Sequence, residues 1–126
     1  MEKPTRKQLN EYIYIRANIN AIEEEIEQIK RLNSATYSNN HKRIKLNSLI
    51  NRLEEEKKNS IKQIKMIESW ITNVDDQFIK KALIMRYVKG EKWNDISVKL
   101  YGSSYQRQAI YRQCKRFVEK ELKKAG

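Results

Sequence analysis

The N-terminal half of the chain carries apolar side chains at alternating spacings of three and four residues, as in the seam of a coiled coil. This pattern predicts a helix from about Thr5 to Leu32. Pro4 suits the first turn of that helix, because the N–H that proline lacks would have no partner there. The seam consists of Tyr12, Ile15, Ile19, Ile22, Ile26 and Ile29.

A second apolar seam predicts a second helix, from about His41 to Thr72. The segment between the two helices, residues 33–40, holds turn-forming residues and no apolar stripe, and it therefore predicts a loop. The second seam consists of Leu46, Ile50, Leu53, Ile64, Ile67 and Ile71, with a polar break at Lys57 and Ser60. The residues that could cap the second helix are Ser38, Asn39 and Asn40.

The registers of the two seams match if the chain reverses direction at this loop. Ile29 then meets Leu46, and Ile22 meets Leu53. The sequence therefore predicts an antiparallel helical hairpin as a first domain, residues 1–73.

A hairpin of two helices leaves much of each seam exposed, and two arrangements could cover it. A second copy of the hairpin would form a four-helix bundle at a homodimer interface. Alternatively, the hairpin packs against the C-terminal part of its own chain, for which Ile13, Met66 and Trp70 widen the apolar face. The sequence leaves both arrangements open.

Residues 74–126 contain three short periodic runs separated by two tight breaks, and they predict a second domain. The first run predicts a helix that starts near Asn73 or Asp75, since either side chain can accept hydrogen bonds from the free N–H groups of a first turn. Gly90 is a suitable residue just after the C-terminus of this helix. The apolar face consists of Phe78, Ile79, Ala82, Leu83, Met85, Tyr87 and Val88.

The second run predicts a helix from about Lys92 to Tyr101 that ends at Gly102, and the third predicts a helix from about Ser104 to Lys124. The core side of the second run is formed by Trp93, Ile96, Val98 and Leu100. The inner face of the last helix is formed by Ile110, Cys114, Phe117 or Val118, and Leu122, with Ala109 as an additional close contact.

The outer face of the last helix carries side chains that can recognise bases in DNA. Arginine can donate two hydrogen bonds to guanine, and glutamine can pair with adenine. These residues occupy the first turns of a helix that follows a tight turn, which is where a recognition helix reaches base edges. The candidate base contacts are Tyr105, Gln106, Arg107, Gln108, Tyr111 and Arg112. The sequence leaves open which of Gln106, Arg107 and Gln108 face the bases.

Further polar residues lie near helix starts and turns, where contacts to DNA phosphates usually fall. The candidate phosphate contacts are Lys89, Lys92, Lys99, Ser103, Ser104 and Lys115. The simpler interpretation is that an exposed terminal helix is often rich in arginine, glutamine and lysine for solubility alone.

Three segments of this region resemble a known family: Ile79–Gly90, Lys92–Ser104 and Ala109–Val118. They are similar to region 4 of sigma-70-type factors, and more closely to the small phage-encoded regulators related to it, of the autolysin-regulator and late-gene activator type. The resemblance implies an all-α helix-turn-helix unit, sequence-specific promoter binding in the cytoplasm of a bacterial host, and contact with RNA polymerase as a further expectation. A sigma factor also has a promoter-melting region, which has no counterpart here, so the resemblance implies an accessory regulator.

Composition and charge support a polyanionic partner and argue against an enzyme. The chain of 126 residues has a formal net charge of +11, which attracts nucleic acid first and an anionic membrane surface second. A single cysteine and a single histidine exclude a disulfide framework and a Cys/His metal cluster within one chain. Without a glycine-rich phosphate loop, a secretory leader or a bilayer-spanning run, we expect neither catalysis nor a cofactor, and we expect a cytoplasmic location.

Three functions therefore compete at the level of sequence. The first is a transcription regulator that binds double-stranded DNA. The second is a DNA-packaging recognition subunit resembling a phage small terminase, which also joins a helix-turn-helix to an oligomerising helical element. The third is a coiled-coil adaptor that binds protein only.

Overall fold

The structure is a computed structural model that describes residues 2–35 and 40–123, and within these residues it is entirely helical. The expected all-α class is confirmed. The helices are α1 (Arg6–Asn10), α2 (Tyr12–Ala35), α3 (Asn40–Thr72), α4 (Gln77–Leu83), α5 (Trp93–Tyr101) and α6 (Arg107–Lys123), with a π-helical turn at Ile84–Val88 and a 3₁₀ turn at Ser104–Gln106. The candidate caps Ser38 and Asn39 lie outside the described residues, and Asn40 is already helical.

The first predicted helix is interrupted, contrary to expectation. α1 ends at Asn10 and is capped by Glu11, whose N–H is shared between the carbonyls of Lys7 at 3.0 Å and Gln8 at 3.2 Å. α2 starts afresh at Tyr12. Leu9 and Tyr12, on either side of the break, are both 1% exposed, so core packing holds the interruption in place. α2 then runs on to Ala35, three residues into the predicted loop.

α1 begins with a capping box that the sequence analysis did not include. The Thr5 hydroxyl accepts from the N–H of Gln8 at 3.0 Å, and the Gln8 side chain accepts from the N–H of Thr5 at 2.9 Å. Pro4 is therefore the residue before the cap, outside the first turn where it was expected.

The chain divides into two compact units, and the division differs from the expected boundary at residue 73. A central unit comprises Tyr14–Ile64, and a terminal unit combines Met1–Ile13 with Lys65–Gly126. The start of the chain and the last turns of α3 thus cluster with α4–α6.

The core of the central unit is formed by the predicted seam. Polar pairs flank it: Asn33 donates to Asn47 at 2.7 Å, and Lys57 lies 3.4 Å from Glu23. The second pair lies ten residues earlier in α2 than the first pair and ten residues later in α3. The two helices therefore run in opposite directions within this unit. The core consists of Ile22, Ile26, Ile29 and Leu53, with Leu46 and Ile50 packed against it.

The terminal unit has its own apolar core, to which α1, α3, α4, α5 and α6 all contribute. The rings of Trp70 and Phe117 lie with centroids 6.1 Å apart, which joins the end of α3 to α6. The phenol of Tyr12 hydrogen-bonds to Glu68, which joins the start of α2 to α3. The buried residues are Leu9, Tyr12, Ile67, Trp70, Ile71, Val74, Ile79, Ala82, Leu83, Ile96, Ile110, Cys114 and Val118.

The helix after α3 starts and ends differently from the prediction. Asp76, and neither Asn73 nor Asp75, is the N-cap: its carboxylate accepts from the N–H groups of Phe78 at 2.9 Å and Ile79 at 3.1 Å. The Asn73 side chain instead donates to the carbonyl of Ser69 at 2.8 Å. The helix also widens into the π-helical turn before it ends. Gly90, with φ +70°, follows that turn as expected.

Two residues expected in the core are exposed. Val98 is 49% exposed because it lies about 200° around α5 from Ile96, at about 100° per residue. Ala109 is exposed because the buried stripe of α6 starts one position later, at Ile110. The chain from Ser104 is also not α-helical until Arg107.

We expect Ile26→Ala to lower the free energy of unfolding by about 2–5 kcal/mol, because it removes buried methyl and methylene groups and leaves a cavity. Ile44 is 67% exposed on the same unit. Ile44→Ala is thus the matched control and should change stability by less than about 0.5 kcal/mol. Urea unfolding measures both, and equal losses would contradict the assignment of the core.

The two glycines at positive φ offer a second matched pair. Alanine at either position incurs the left-handed backbone cost of about 1–2 kcal/mol. At Gly102 (φ +75°) no described atom lies within 4 Å of the added Cβ, whereas at Gly90 it would lie 2.6 Å from Cδ1 of Ile13. Gly90→Ala should therefore be the more destabilising, and its excess should disappear in an Ile13→Ala background. An excess that persists there would show that Ile13 does not pack against Gly90.

Candidate nucleic-acid interface

The turn between α5 and α6 is held by two serine side chains. Ser97 is fully buried, and its hydroxyl donates to the carbonyl of Ser103. The hydroxyl of Ser103 in turn accepts from the N–H of Tyr105 at 3.2 Å. With Gly102 in the left-handed conformation, these bonds define where the following helix starts. Sequence reasoning missed Ser97, although it directly follows the buried Ile96.

α6 is oriented by one buried stripe at a spacing of four residues: Ile110, Cys114 and Val118, each at most 3% exposed. Burial of this stripe turns the opposite side of the helix outwards. All six candidate base contacts are exposed, with Tyr105 at 93% and Tyr111 at 39%. Tyr105 and Gln106 lie in the 3₁₀ turn, and the other four lie in the first two turns of α6.

Two of these candidates have partners on α5. The guanidinium of Arg107 donates to the side-chain oxygen of Asn94 at 3.1 Å. The ring of Tyr111 meets that of Trp93 edge to face, with centroids 5.6 Å apart. Both contacts restrict the side chains before any ligand arrives. Gln108, Tyr111 and Arg112, at spacings of three and four residues, share one side of α6.

The candidate phosphate contacts differ in their exposure and in the partners that they already have. Lys99 is hydrogen-bonded to the carboxylate of Glu91, which offsets its charge, and the hydroxyl of Ser103 is engaged in the turn. Lys92 precedes α5 without a capping hydrogen bond from its side chain. The residues of the set that are exposed are Lys89, Lys92, Lys99, Ser104 and Lys115.

A ladder of aromatic and cationic side chains links the π-helical turn, α5 and α6. Arg86 lies 5.2 Å above the ring of Trp93, Trp93 meets Tyr111, and Lys115 lies 5.8 Å from the ring of Tyr111. Sequence reasoning missed Arg86, because the π-helical turn that places it is not visible as a periodicity.

Burial shifts the acidity of two groups in this unit. Burial raises the pKa of the Cys114 thiol to about 11, and the carboxylate of Asp76 adds to the shift. Burial also raises the pKa of Tyr87, opposed chiefly by the positive charge of Arg86. Both groups are therefore protonated at neutral pH, and Cys114 is part of the core, not a reactive thiol.

Residues 2–35 and 40–123 hold neither a metal-binding cluster nor a membrane-spanning helix. No cluster of three or more His, Cys, Asp or Glu side chains is placed to hold a metal ion. No helix there has the length and apolar character needed to span a bilayer.

Comparison with known proteins adds no relative. No protein-family model matches the chain, and neither the curated proteins nor the solved structures give a significant match.

The shifted thiol predicts a pH dependence of stability. At pH values between the ordinary thiol pKa of 9.0 and the native pKa of about 11, Cys114 has lost its proton in the unfolded chain but retains it in the native chain. The unfolded state is therefore stabilised relative to the native state as the pH rises. Relative to Cys114→Ala, the wild type should lose up to about 1.4 kcal/mol of unfolding free energy per pH unit across this window. The titrating groups other than Tyr87, whose pKa Cys114 itself helps to raise, contribute equally to both proteins. Parallel pH profiles from urea unfolding would contradict the prediction.

Proposed function

We propose that this chain is a sequence-specific regulator of transcription that binds double-stranded DNA. The observation that carries the proposal is the exposed surface formed by the six candidate base contacts, which follows the serine-braced turn after α5. In this proposal α5 and α6 form a helix-turn-helix, and α6 is the recognition helix in the major groove. The residues proposed to read bases are Tyr105, Gln106, Arg107, Gln108, Tyr111 and Arg112.

The charge of this part of the chain supports the proposal. Residues 103–126 hold seven lysines and arginines against two glutamates, within a chain of net charge +11. Such an excess attracts the phosphate backbone irrespective of sequence, and it makes binding sensitive to salt. Specificity must then come from the base contacts.

We propose the resemblance to sigma region 4 as the guide to the biological role: an accessory regulator of a phage or prophage, acting on late genes in a bacterial host, with RNA polymerase as a further partner. The antiparallel α2–α3 pair is then the helical hairpin that accompanies the DNA-binding unit. Leu32 and Leu49 are 55% and 36% exposed in it, and they supply apolar surface for a homodimer contact.

The decisive experiment is selection of binding sites from a random pool of duplex DNA at near-physiological salt. The wild-type chain should enrich one motif. Arg112→Ala should cost about 1–3 kcal/mol on that motif and relax the preference at one base position. Arg52, exposed on the central unit, provides the matched control: Arg52→Ala removes the same charge and should keep both motif and affinity.

Other outcomes would favour the competing functions. Equal loss on the motif and on random duplex would reduce Arg112 to a phosphate contact. Salt-sensitive binding without a motif, together with rings detected by light scattering, would favour a DNA-packaging subunit. Failure to bind any duplex would favour a protein-binding adaptor.

A further inference from the structure

The terminal unit contains a cleft of about 170 Å³ in which side chains from separate parts of the chain meet. Arg6 comes from α1, Arg86 and Tyr87 from the π-helical turn, and Lys115 from α6. The N-terminal segment therefore contributes directly to a surface beside the recognition helix.

The charge of this cleft sets it apart from two further clefts in the part of the chain that the structure describes. Three of its lining side chains are cationic and none is a carboxylate. By contrast, the cleft along α2 is lined by three glutamates and one arginine, and the cleft beside Trp70 mixes lysines with carboxylates. Three cations facing one space repel each other, and an anion in that space would relieve the repulsion.

The partners that these cations have leave most of their charge available. Arg86 donates to the backbone carbonyl of Glu91 at 3.1 Å, which is a neutral acceptor, and it stacks on Trp93. Arg6 lies 3.7 Å from Glu119, but its side chain is 57% exposed, and a surface pair of this kind is weak. Lys115 faces the ring of Tyr111, which is also uncharged.

Neutral donors complete the lining. Asn10 and Tyr87 also line the cleft, and the phenol of Tyr87 stays protonated because burial raises its pKa. The positive charges of Arg86 and Arg6 both lower the pKa of that phenol, against the larger effect of burial. Two guanidinium groups, an ammonium and neutral donors are the set of groups that proteins use to hold phosphate.

The element that brings Arg86 and Tyr87 into the cleft is itself unusual. Both residues lie in the π-helical turn Ile84–Val88. Single π-helical turns within helices occur frequently at functional sites. Gly90 lies two residues after the turn, and its positive φ lets the chain leave towards α5.

We propose that this cleft holds a phosphate group, and that its source is a backbone phosphodiester of the duplex bound by α6. Arg6, Arg86 and Lys115 provide the charge, and Asn10 and Tyr87 the neutral hydrogen bonds. The inference rests on the proposed function for the source of the phosphate. Tyr111 and Lys115 belong both to the cleft and to the outer side of α6, so a duplex that reaches α6 also reaches the cleft.

The test uses the full chain and a matched pair of variants on α1. Arg6→Gln removes a cation from the cleft. Lys7→Gln removes one from the next residue, which is exposed and does not line the cleft. Binding to the selected motif and to random duplex is measured over a range of salt. Affinity falls with salt, and Arg6→Gln should make this slope of log affinity against log salt less steep by about 0.9 on both duplexes, as expected for one lost phosphate contact. Lys7→Gln should leave the slope unchanged.

A second measurement examines the cleft without DNA. Inorganic phosphate is titrated into the protein while the indole N–H resonances of its two tryptophans are followed by NMR. The Trp93 resonance, beside the cleft, should shift in the wild type and in Lys7→Gln but not in Arg6→Gln or Lys115→Gln. Trp70 lies outside the cleft and serves as the internal reference.

The outcomes separate this inference from the proposed function. Specific DNA binding with an unchanged slope in Arg6→Gln, and no shift of Trp93, would overturn the phosphate site and leave the regulator proposal standing. A phosphate-dependent shift of Trp93 in a protein that binds no duplex would overturn the DNA source and assign the cleft to free phosphate. If the protein neither binds duplex DNA nor shows a phosphate-dependent shift of Trp93, both the phosphate site and its DNA source are overturned.

Discussion

Burial of a single stripe of side chains on α6 is the constraint on which the candidate interface depends. Ile110, Cys114 and Val118 are almost completely shielded from water, and no rotation of the helix could keep them so while turning Gln108 or Arg112 inwards. The apolar burial that stabilises the unit therefore also selects which residues face a ligand. The buried hydroxyl of Ser97, bonded to the carbonyl of Ser103, adds a defined starting point for the chain that leads into this helix.

The ladder from Arg86 through Trp93 and Tyr111 to Lys115 works alongside this stripe at the surface. It places two cations on aromatic rings, where they are held without being neutralised. A recognition surface benefits from such an arrangement, because side chains that are ordered in advance lose less entropy when a ligand binds. The hydrogen bond from Arg107 to Asn94 has the same effect on the first turn of α6.

The division of the chain into a central and a terminal unit changes how the N-terminus is understood. From the periodic pattern, Thr5 to Leu32 is one helix that belongs to the predicted hairpin domain, residues 1–73. In the structure, the capping box at Thr5, the break at Glu11 and the buried pair Leu9 and Tyr12 make the first 13 residues a part of the terminal unit. Arg6 is thereby brought close to Lys115, more than a hundred residues away in the chain.

The sequence by itself determined the features that local chemistry controls. Apolar spacing was sufficient to predict an all-helical chain, the seam around Ile26 and the exposed face of α6, and Gly90 marked a helix end because a positive φ favours glycine. Only the tertiary structure decided the break at Glu11, the π-helical turn, the burial of Ser97 and the cleft of Arg6 and Arg86. These features arise from packing between segments far apart in the chain, and no local periodicity encodes such contacts.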